Sequence, residues 1–460
     1  MKILETVYSK VNDIAPGKLH GNEYIHITLN SFYKLADKKE SLLSQKNYEQ
    51  LFMVGLFSIN IPENYQGMGG SYYDCCNVIS AAAYEDPEFA LCLVYHFAAV
   101  EMLSKYMSDT EKTCFFQNLD SDYRFLSFSL HQQEESFVFI NKFVNSFFFI
   151  PNKNNEAETV LSVYREVVCF EKYDNPAGLS NINLIKVSPV NTGNYGTDKK
   201  YPVKCGFESF VRELNAYINT GLSALSAGLS AKLLNLTGEY TNNRVLFKKK
   251  LFQYPLIQEK IADMHAFLYG MKAHLYFSQV LTEKRDANLC EYAGFMKYFC
   301  SEKLFFIADE CMNIHGANGY MEDSGIPNLW KSARSIAFLG SPNDVLAKSY
   351  AMELQDGAVY KVMGKPLMAA VTGELSEIYE ALLKLENAFS QCCPDIAGRS
   401  EEIRIMRIKE NAENIILIRL LLNFNIFSIN FKHSKDNSNM CCDILLFLIR
   451  KSNIDKEFII

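Results

Sequence analysis

An excess of basic residues is missing from this chain: Lys and Arg number 46 against 53 Asp and Glu, a formal net charge of −7. Broad nucleic-acid binding needs a positive face, so that class is excluded. Disulfide and zinc spacings are missing too. The 13 cysteines are odd in number, no CxxC occurs, and the neighbours Cys75-Cys76, Cys392-Cys393 and Cys441-Cys442 cannot readily bridge. Reduced thiols in a cytoplasmic protein are the expectation. No long apolar run is unbroken. The longest, 415–431, contains Arg419, Asn423, Asn425 and Asn430 and reads as a buried helix, not a membrane span. Met1 to Asp13 mixes polar and apolar residues, unlike a signal peptide. There is no GxSxG elbow, P-loop or HExxH, and His315 has no His or Cys partner at metal-ligand spacing, so no metal site is expected.

What is present is enough chain for two or three domains: 460 residues, 48% hydrophobic and 22% charged. The patterning changes twice. Residues 51–70 read as a helix ending in a Gly/Pro-rich turn. Apolar helices follow at 72–83 and 91–106, with Asp86-Pro87 as the break between them. From Phe125 the runs shorten and become β-rich, at 125–130, 137–140, 147–150, 159–164, 167–170 and 182–187, bounded by Asn, Asp, Gly and Pro. From about Tyr217 helical spacing returns. Ile257, Ile261, Met264, Leu268 and Met271 form one apolar stripe; Leu375, Ile378, Leu382, Leu385 and Phe389 form another. Ser400, followed by Glu401 and Glu402, suits the cap and first turn of a later helix.

Three segments carry more than patterning. They are Arg244 to Met264 (RVLFKKKLFQYPLIQEKIADM), Ile314 to Asp323 (IHGANGYMED) and Leu329 to Ser341 (LWKSARSIAFLGS). The first resembles the "RxxFGxxLxxxPLxQxxLADM" run of flavin-dependent acyl-CoA dehydrogenases. The second resembles the glycine turn by which that family holds FAD, and the third the helix and loop that carry its catalytic carboxylate.

The resemblance covers residues 225–355 well and 45–125 weakly. It implies a mainly α fold with a central β domain. The expected parts are an N-terminal helical domain (1–122), a small antiparallel β barrel or sandwich (123–212), a C-terminal four-helix bundle (213–355) and additional C-terminal helices (356–460).

The same resemblance assigns site residues. Arg244 and Phe247 match positions that reach the pyrophosphate and adenine side of FAD bound mainly to a neighbouring subunit. A guanidinium suits a diphosphate because it makes two parallel charge-assisted hydrogen bonds. The plainer reading is a helix-end arginine with a core phenylalanine beside it. Asn313, Gly316 and Ala317 match the turn placed against the cofactor, where small residues allow close backbone approach; Gly316 and Gly319 equally suit a helix C-cap. His315 reads as a structural turn residue. Ser341, Asn343 and Ser129 match positions near the flavin's phosphate, ribose and ring, while Phe338, Leu339 and Gly340 would border the acyl chain and thioester.

The catalytic parts depart from the pattern. Where the family most often writes Tyr-Glu-Gly-Thr, this chain has Phe338-Leu339-Gly340-Ser341. Abstraction of an α-proton needs a carboxylate, which Leu339 cannot supply. Some members carry the base on an earlier helix, a position that spacing from Arg244 puts near Ile218-Asn219; Glu213 is the nearby substitute. Residues 125–134 keep Ser129 but no glycine of the family's "TEPxxGSD". Phe149-Ile150-Pro151 replaces its "WIT", with a proline that offers no N–H.

Two functions follow. One is a flavoprotein acting on an acyl thioester of CoA or a carrier protein, as a CH–CH oxidoreductase or a diverged flavin-dependent variant. The other is a catalytically lapsed relative that binds or completes an active homologue. The resemblance implies a homodimer or homotetramer, or a hetero-oligomer with a homologue.

Overall fold

The computed structural model describes residues 45–122, 125–128, 136–141, 146–153, 158–165, 171–173, 182–187, 199–283 and 289–347. The expected helices beyond residue 355, Ser129 and the run at 167–170 lie outside the described residues.

The N-terminal helices begin with α1 (Gln45–Met53). The region read as one helix to residue 70 is shorter: after α1 the chain passes through single 3₁₀ turns at Leu56–Ser58 and Glu63–Tyr65. Helix α2 (Tyr72–Glu85) starts at a capping box, in which Ser71 Oγ accepts from the Asp74 N–H and Asp74 Oδ2 accepts from the Ser71 N–H. Asp86-Pro87 then does what its sequence suggests. Asp86 Oδ1 accepts from the Glu88 and Phe89 N–H groups, Pro87 takes the first helical position, and α3 runs from Pro87 to Tyr106. Helix α4 spans Asp109–Asp122.

The β region forms two small sheets. One has the order β1 (Phe125–Phe128), β3 (Ser146–Lys153), β4 (Thr159–Arg165), β7 (Lys199–Val203); the other runs β2 (Ser136–Asn141), β6 (Ile182–Val187), β5 (Glu171–Tyr173). The expectation of a purely antiparallel unit fails at one pair, because β1 and β3 are parallel, Phe125 opposite Ser146. No barrel closes among the described residues. Strand β7, which the sequence pattern did not reveal, carries Pro202 and ends its sheet, where a missing N–H is tolerated.

His96 of α3 joins the two regions. The Leu126 N–H of β1 donates to Nδ1, so the ring's proton sits on Nε2 and is donated to the Phe57 carbonyl at 2.9 Å. Burial pulls this imidazole down to about 4, which keeps it neutral.

The remaining helices are α5 (Phe207–Asn243), α6 (Pro255–Glu283), α7 (Leu289–His315) and the short α8 (Ile326–Ile336), with a hairpin β8–β9 (Val245–Leu246, Lys249–Lys250) between α5 and α6. Helix α5 starts ten residues before the apolar spacing becomes evident at 217, because Glu208, Arg212 and Glu213 dilute its first turns. It packs against α2, α3, α6 and α7 and is the axis of the fold. Leu214, Ile218, Leu222, Leu225 and Leu229 are wholly buried on it. The stripe read on α6 holds, with Ile261, Met264, Leu268 and Met271 at 0–2% exposure.

Candidate active site

The turn after α8 is where the sequence expects chemistry. The helix ends in tight hydrogen bonds, Phe338 N–H to the Ser335 carbonyl and Leu339 N–H to the Ile336 carbonyl, and Asn343 N–H closes back on the Ala337 carbonyl. Gly340 has φ +61, which a side-chain-bearing residue adopts only under strain. Its surroundings exclude one as well: a Cβ there would lie 3.1 Å from Asn219 Oδ1, 3.2 Å from Leu222 Cδ1 and 3.4 Å from Ile218 Cγ2.

The two places marked by sequence for a base therefore meet in space. One holds the buried Leu339 and the other the buried amide Asn219, whose Oδ1 has no hydrogen-bond partner among the described residues. Behind the turn, the buried Tyr95 on α3 reaches the Gly340 backbone, and burial raises its pKa. Phe338 is 63% exposed and stacks on the Arg334 guanidinium, which also covers Phe305.

Two carboxyls on the neighbouring helices, Glu213 and Glu101, are engaged elsewhere. Glu213 pairs with Lys105 and accepts from the Tyr106 hydroxyl, six positions along α5 from Asn219, or about 9 Å of helix rise. Glu101 on α3 accepts from the Asn60 amide at 2.9 Å, and burial pushes it up to about 7. It and Tyr95 escaped sequence reading, since neither lies in a recognisable motif.

Beneath the turn lies Lys297 of α7, wholly buried. Its ammonium donates to the carbonyls of Ala337 (3.1 Å) and Ser341 (2.8 Å) and to Asn343 Oδ1 (2.7 Å). Asn343 donates in turn to Glu302 Oε1 and Ser301 Oγ, so its amide is fully used inside the fold. Lys297 was not singled out in the sequence, although a lone charge between Met296 and the apolar Phe299-Cys300 pair was a usable signal.

The second cluster sits at the other end of α5. Arg244, exposed, follows its last turn. The hairpin beyond projects outward: Phe247 is 91% exposed, so the reading of a core phenylalanine is wrong. Tyr240 stacks on His315 with ring centroids 4.2 Å apart and donates to the His315 carbonyl, bringing the end of α7 alongside. There Gly316 has φ +59, and the space a Cβ would take is empty. Ala317 and Asn313 are exposed, Asn313 donating to Asp309. Gly316 thus ends the helix and presents an open backbone together. His315 is the structural residue expected, with Nδ1 bonded to the Cys311 carbonyl.

The two clusters are far apart. Asn219 and Arg244, the residue that caps the helix, are 25 positions apart along α5, about 37 Å of helix rise. One dinucleotide cannot touch both within a single chain. Ser129 lies outside the described residues, and of Phe149-Ile150-Pro151 only the backbone is described, in β3, Pro151 opposite Leu161.

The donor set can be weighed against a flavin dinucleotide. An exposed guanidinium, an exposed aromatic ring and an open glycine turn fit its adenosine-diphosphate half. Among the described residues, no group able to hold a cluster of three metal ligands occurs, and no helix is long and apolar enough to cross a membrane.

Comparisons with known proteins bear on the family and the fold. Residues 206–355 match the acyl-CoA dehydrogenase C-terminal domain and residues 29–120 the acyl-CoA dehydrogenase N-terminal domain, together just over half of the chain. The very long-chain specific acyl-CoA dehydrogenase of Mus musculus is 28% identical over 148 residues, which are 32% of this chain and 22% of that protein. The chain thus spans about a fifth of the length of this curated relative. Among solved structures, butyryl-CoA dehydrogenase from Megasphaera elsdenii superposes with a TM-score of 0.62 at 14% identity, covering 72% of this chain and 98% of that one. An acyl-CoA dehydrogenase complexed with FAD from Bacillus anthracis gives 0.70 at 15% identity, covering 100% and 86%.

Proposed function

This chain belongs to the acyl-CoA dehydrogenase superfamily, and we propose that it is a diverged flavoprotein that holds FAD and an acyl thioester of CoA or a carrier protein. Bound FAD would supply two-electron redox chemistry at an acyl carbon. Arg244, Phe247, Asn313, Gly316 and Ala317 would hold its adenosine-diphosphate half. Ser341, at the distant turn after α8, would serve a flavin held with a second copy or a homologue. Phe338, Leu339 and Gly340 border the acyl group.

The observation that carries this reading is the meeting of Leu339-Gly340 with Asn219. Both positions that the fold offers for a proton-accepting carboxylate are neutral. Removal of an α-proton by a carboxylate of this turn is therefore not part of the mechanism. Flavin-dependent chemistry that needs no such base is what remains.

The test begins with colour. Purified protein, or apoprotein reconstituted with FAD, should absorb in the near-ultraviolet and blue; protein that stays colourless ends the flavoprotein reading. Loaded protein is then offered acyl-CoA with an artificial electron acceptor, and efficient desaturation would show that a base has been missed.

One observation favours a second reading, a lapsed homologue that completes a partner. Leu339, at the place where the base would stand, is packed in the core. Flavin uptake only in the presence of an active homologue is the outcome that selects it.

A further inference from the structure

Lys297 lies outside every motif of the resemblance, yet it is the group most committed to the turn. Its three partners, Ala337 O, Ser341 O and Asn343 Oδ1, are all acceptors, at 3.1, 2.8 and 2.7 Å. An ammonium has three N–H groups and satisfies all of them; a neutral amine has two and must release one of these contacts. The partners stand at both ends of the loop, so one side chain staples it shut. Asn343 is itself fixed: Nδ2 donates to Glu302 Oε1 at 2.6 Å and to Ser301 Oγ at 2.9 Å, which turns Oδ1 toward the lysine. The Ala337 carbonyl, at the end of α8, also accepts the Asn343 N–H.

A purely architectural purpose would be met more simply. Apolar replacement of a buried, paired charge is often neutral or stabilising, and such charges are retained where one conformation must be specified. Here the specified object is the loop that carries Leu339 and Gly340.

We propose that Lys297 is the positioning residue of this site, its ammonium holding residues 337–343 in the one conformation that seats Gly340 on Asn219 and leaves Phe338 at the surface. The inference rests on the reading that this turn borders the acyl thioester. Burial pulls Lys297 down to about 7, with Glu302, on its own helix, acting in the opposite direction. From α8 and its turn the groups that face it are the two carbonyls and Asn343. The pinned form is the protonated one.

The test uses the full chain and Lys297→Met, with the exposed Lys331→Met as control. The chain's one tryptophan, Trp330, lies on α8 against Phe305 and reports on this segment. In wild type its emission should shift as pH rises from 6 to 9; in Lys297→Met the shift should be gone. Amide exchange at 338, 339 and 343 should be at least tenfold faster in Lys297→Met, and the FAD dissociation constant at least tenfold higher, with Lys331→Met like wild type. Wild-type exchange, pH profile and FAD binding in Lys297→Met would overturn the proposal. Wild type that takes up no FAD defeats the function proposed above, while exchange and Trp330 emission still decide the role of Lys297. If Lys297→Met does not fold, Asn343→Leu removes one acceptor and the link to Glu302 and should accelerate the same amides. Unchanged exchange in that variant also rejects the proposal.

Discussion

Asn219 Oδ1, without a hydrogen-bond partner among the described residues, lies 3.1 Å from where Gly340 would carry a Cβ, so the amide oxygen of α5 packs against the bare backbone of the turn after α8. Gly340→Ala should therefore be costly twice, through its positive φ and through contact with Asn219. A loss of about 1–3 kcal/mol is expected, read from urea unfolding midpoints. An unchanged midpoint would show that the turn is not seated as described.

Leu339→Glu restores a carboxylate at the position where the resemblance expects one. In FAD-loaded protein under anaerobic conditions, added acyl-CoA should bleach the flavin of this variant and leave wild type yellow. Equal bleaching in both would mean that Leu339 is not what silences α-proton removal. Burial of the new carboxyl should also make stability fall as pH rises above the ordinary Glu value of about 4.3.

Arg244→Ala should weaken FAD retention without altering the apoprotein's melting temperature, because the residue is exposed at a helix end. Loss of a charge-assisted bond corresponds to about tenfold or more in the dissociation constant, at about 1.5–3 kcal/mol. Full flavin occupancy in the variant would remove Arg244 from the site.

The hairpin tip stores strain. Phe247 and Lys248 have φ of 47° and 69°, the left-handed region. The family pattern writes glycine at the position of Lys248. Lys248→Gly should stabilise the apoprotein by about 1 kcal/mol, seen as a higher urea midpoint. A lower midpoint would mean that the lysine side chain makes a compensating contact.

Acid should destabilise the protein through His96. Its folded pKa, about 4, is below the ordinary 6.5, so the unfolded chain binds more protons between those values. Stability rises with pH across that window and is lost as pH falls through it, by about 3 kcal/mol at the extreme. His274 and His265 act in the same direction, while Glu101, raised to about 7, opposes them above pH 4.5. The difference between wild type and His96→Gln isolates one contribution. Unfolding midpoints at pH 4.5 and 7 should diverge for wild type more than for the variant.

Much of the scaffold was legible because its signals are local. Asp86-Pro87 caps a helix through atoms two and three residues away, and the stripe from Ile261 to Met271 requires only helical spacing. The parallel β1–β3 pair and strand β7 were not legible, since pairing direction is set by connections across the domain and Pro202 argues against a strand until its edge position is known. At the site, Leu339 and Arg244 could be picked out by motif. Tyr95, Glu101 and Lys297 could not, because each acts on residues far away in sequence.

By itself the sequence determined the kinship, the order of helical and β regions, and the loss of the carboxylate at 339, all of which reside in residue identity and short spacing. Tertiary structure decided what stands in its place. Only packing of α3, α5 and α7 around one turn brings a phenol, an amide and a buried ammonium to Gly340, and only the length of α5 sets the two proposed cofactor clusters too far apart for one chain. Those relations depend on distances between elements, which folding fixes through the burial of their shared core.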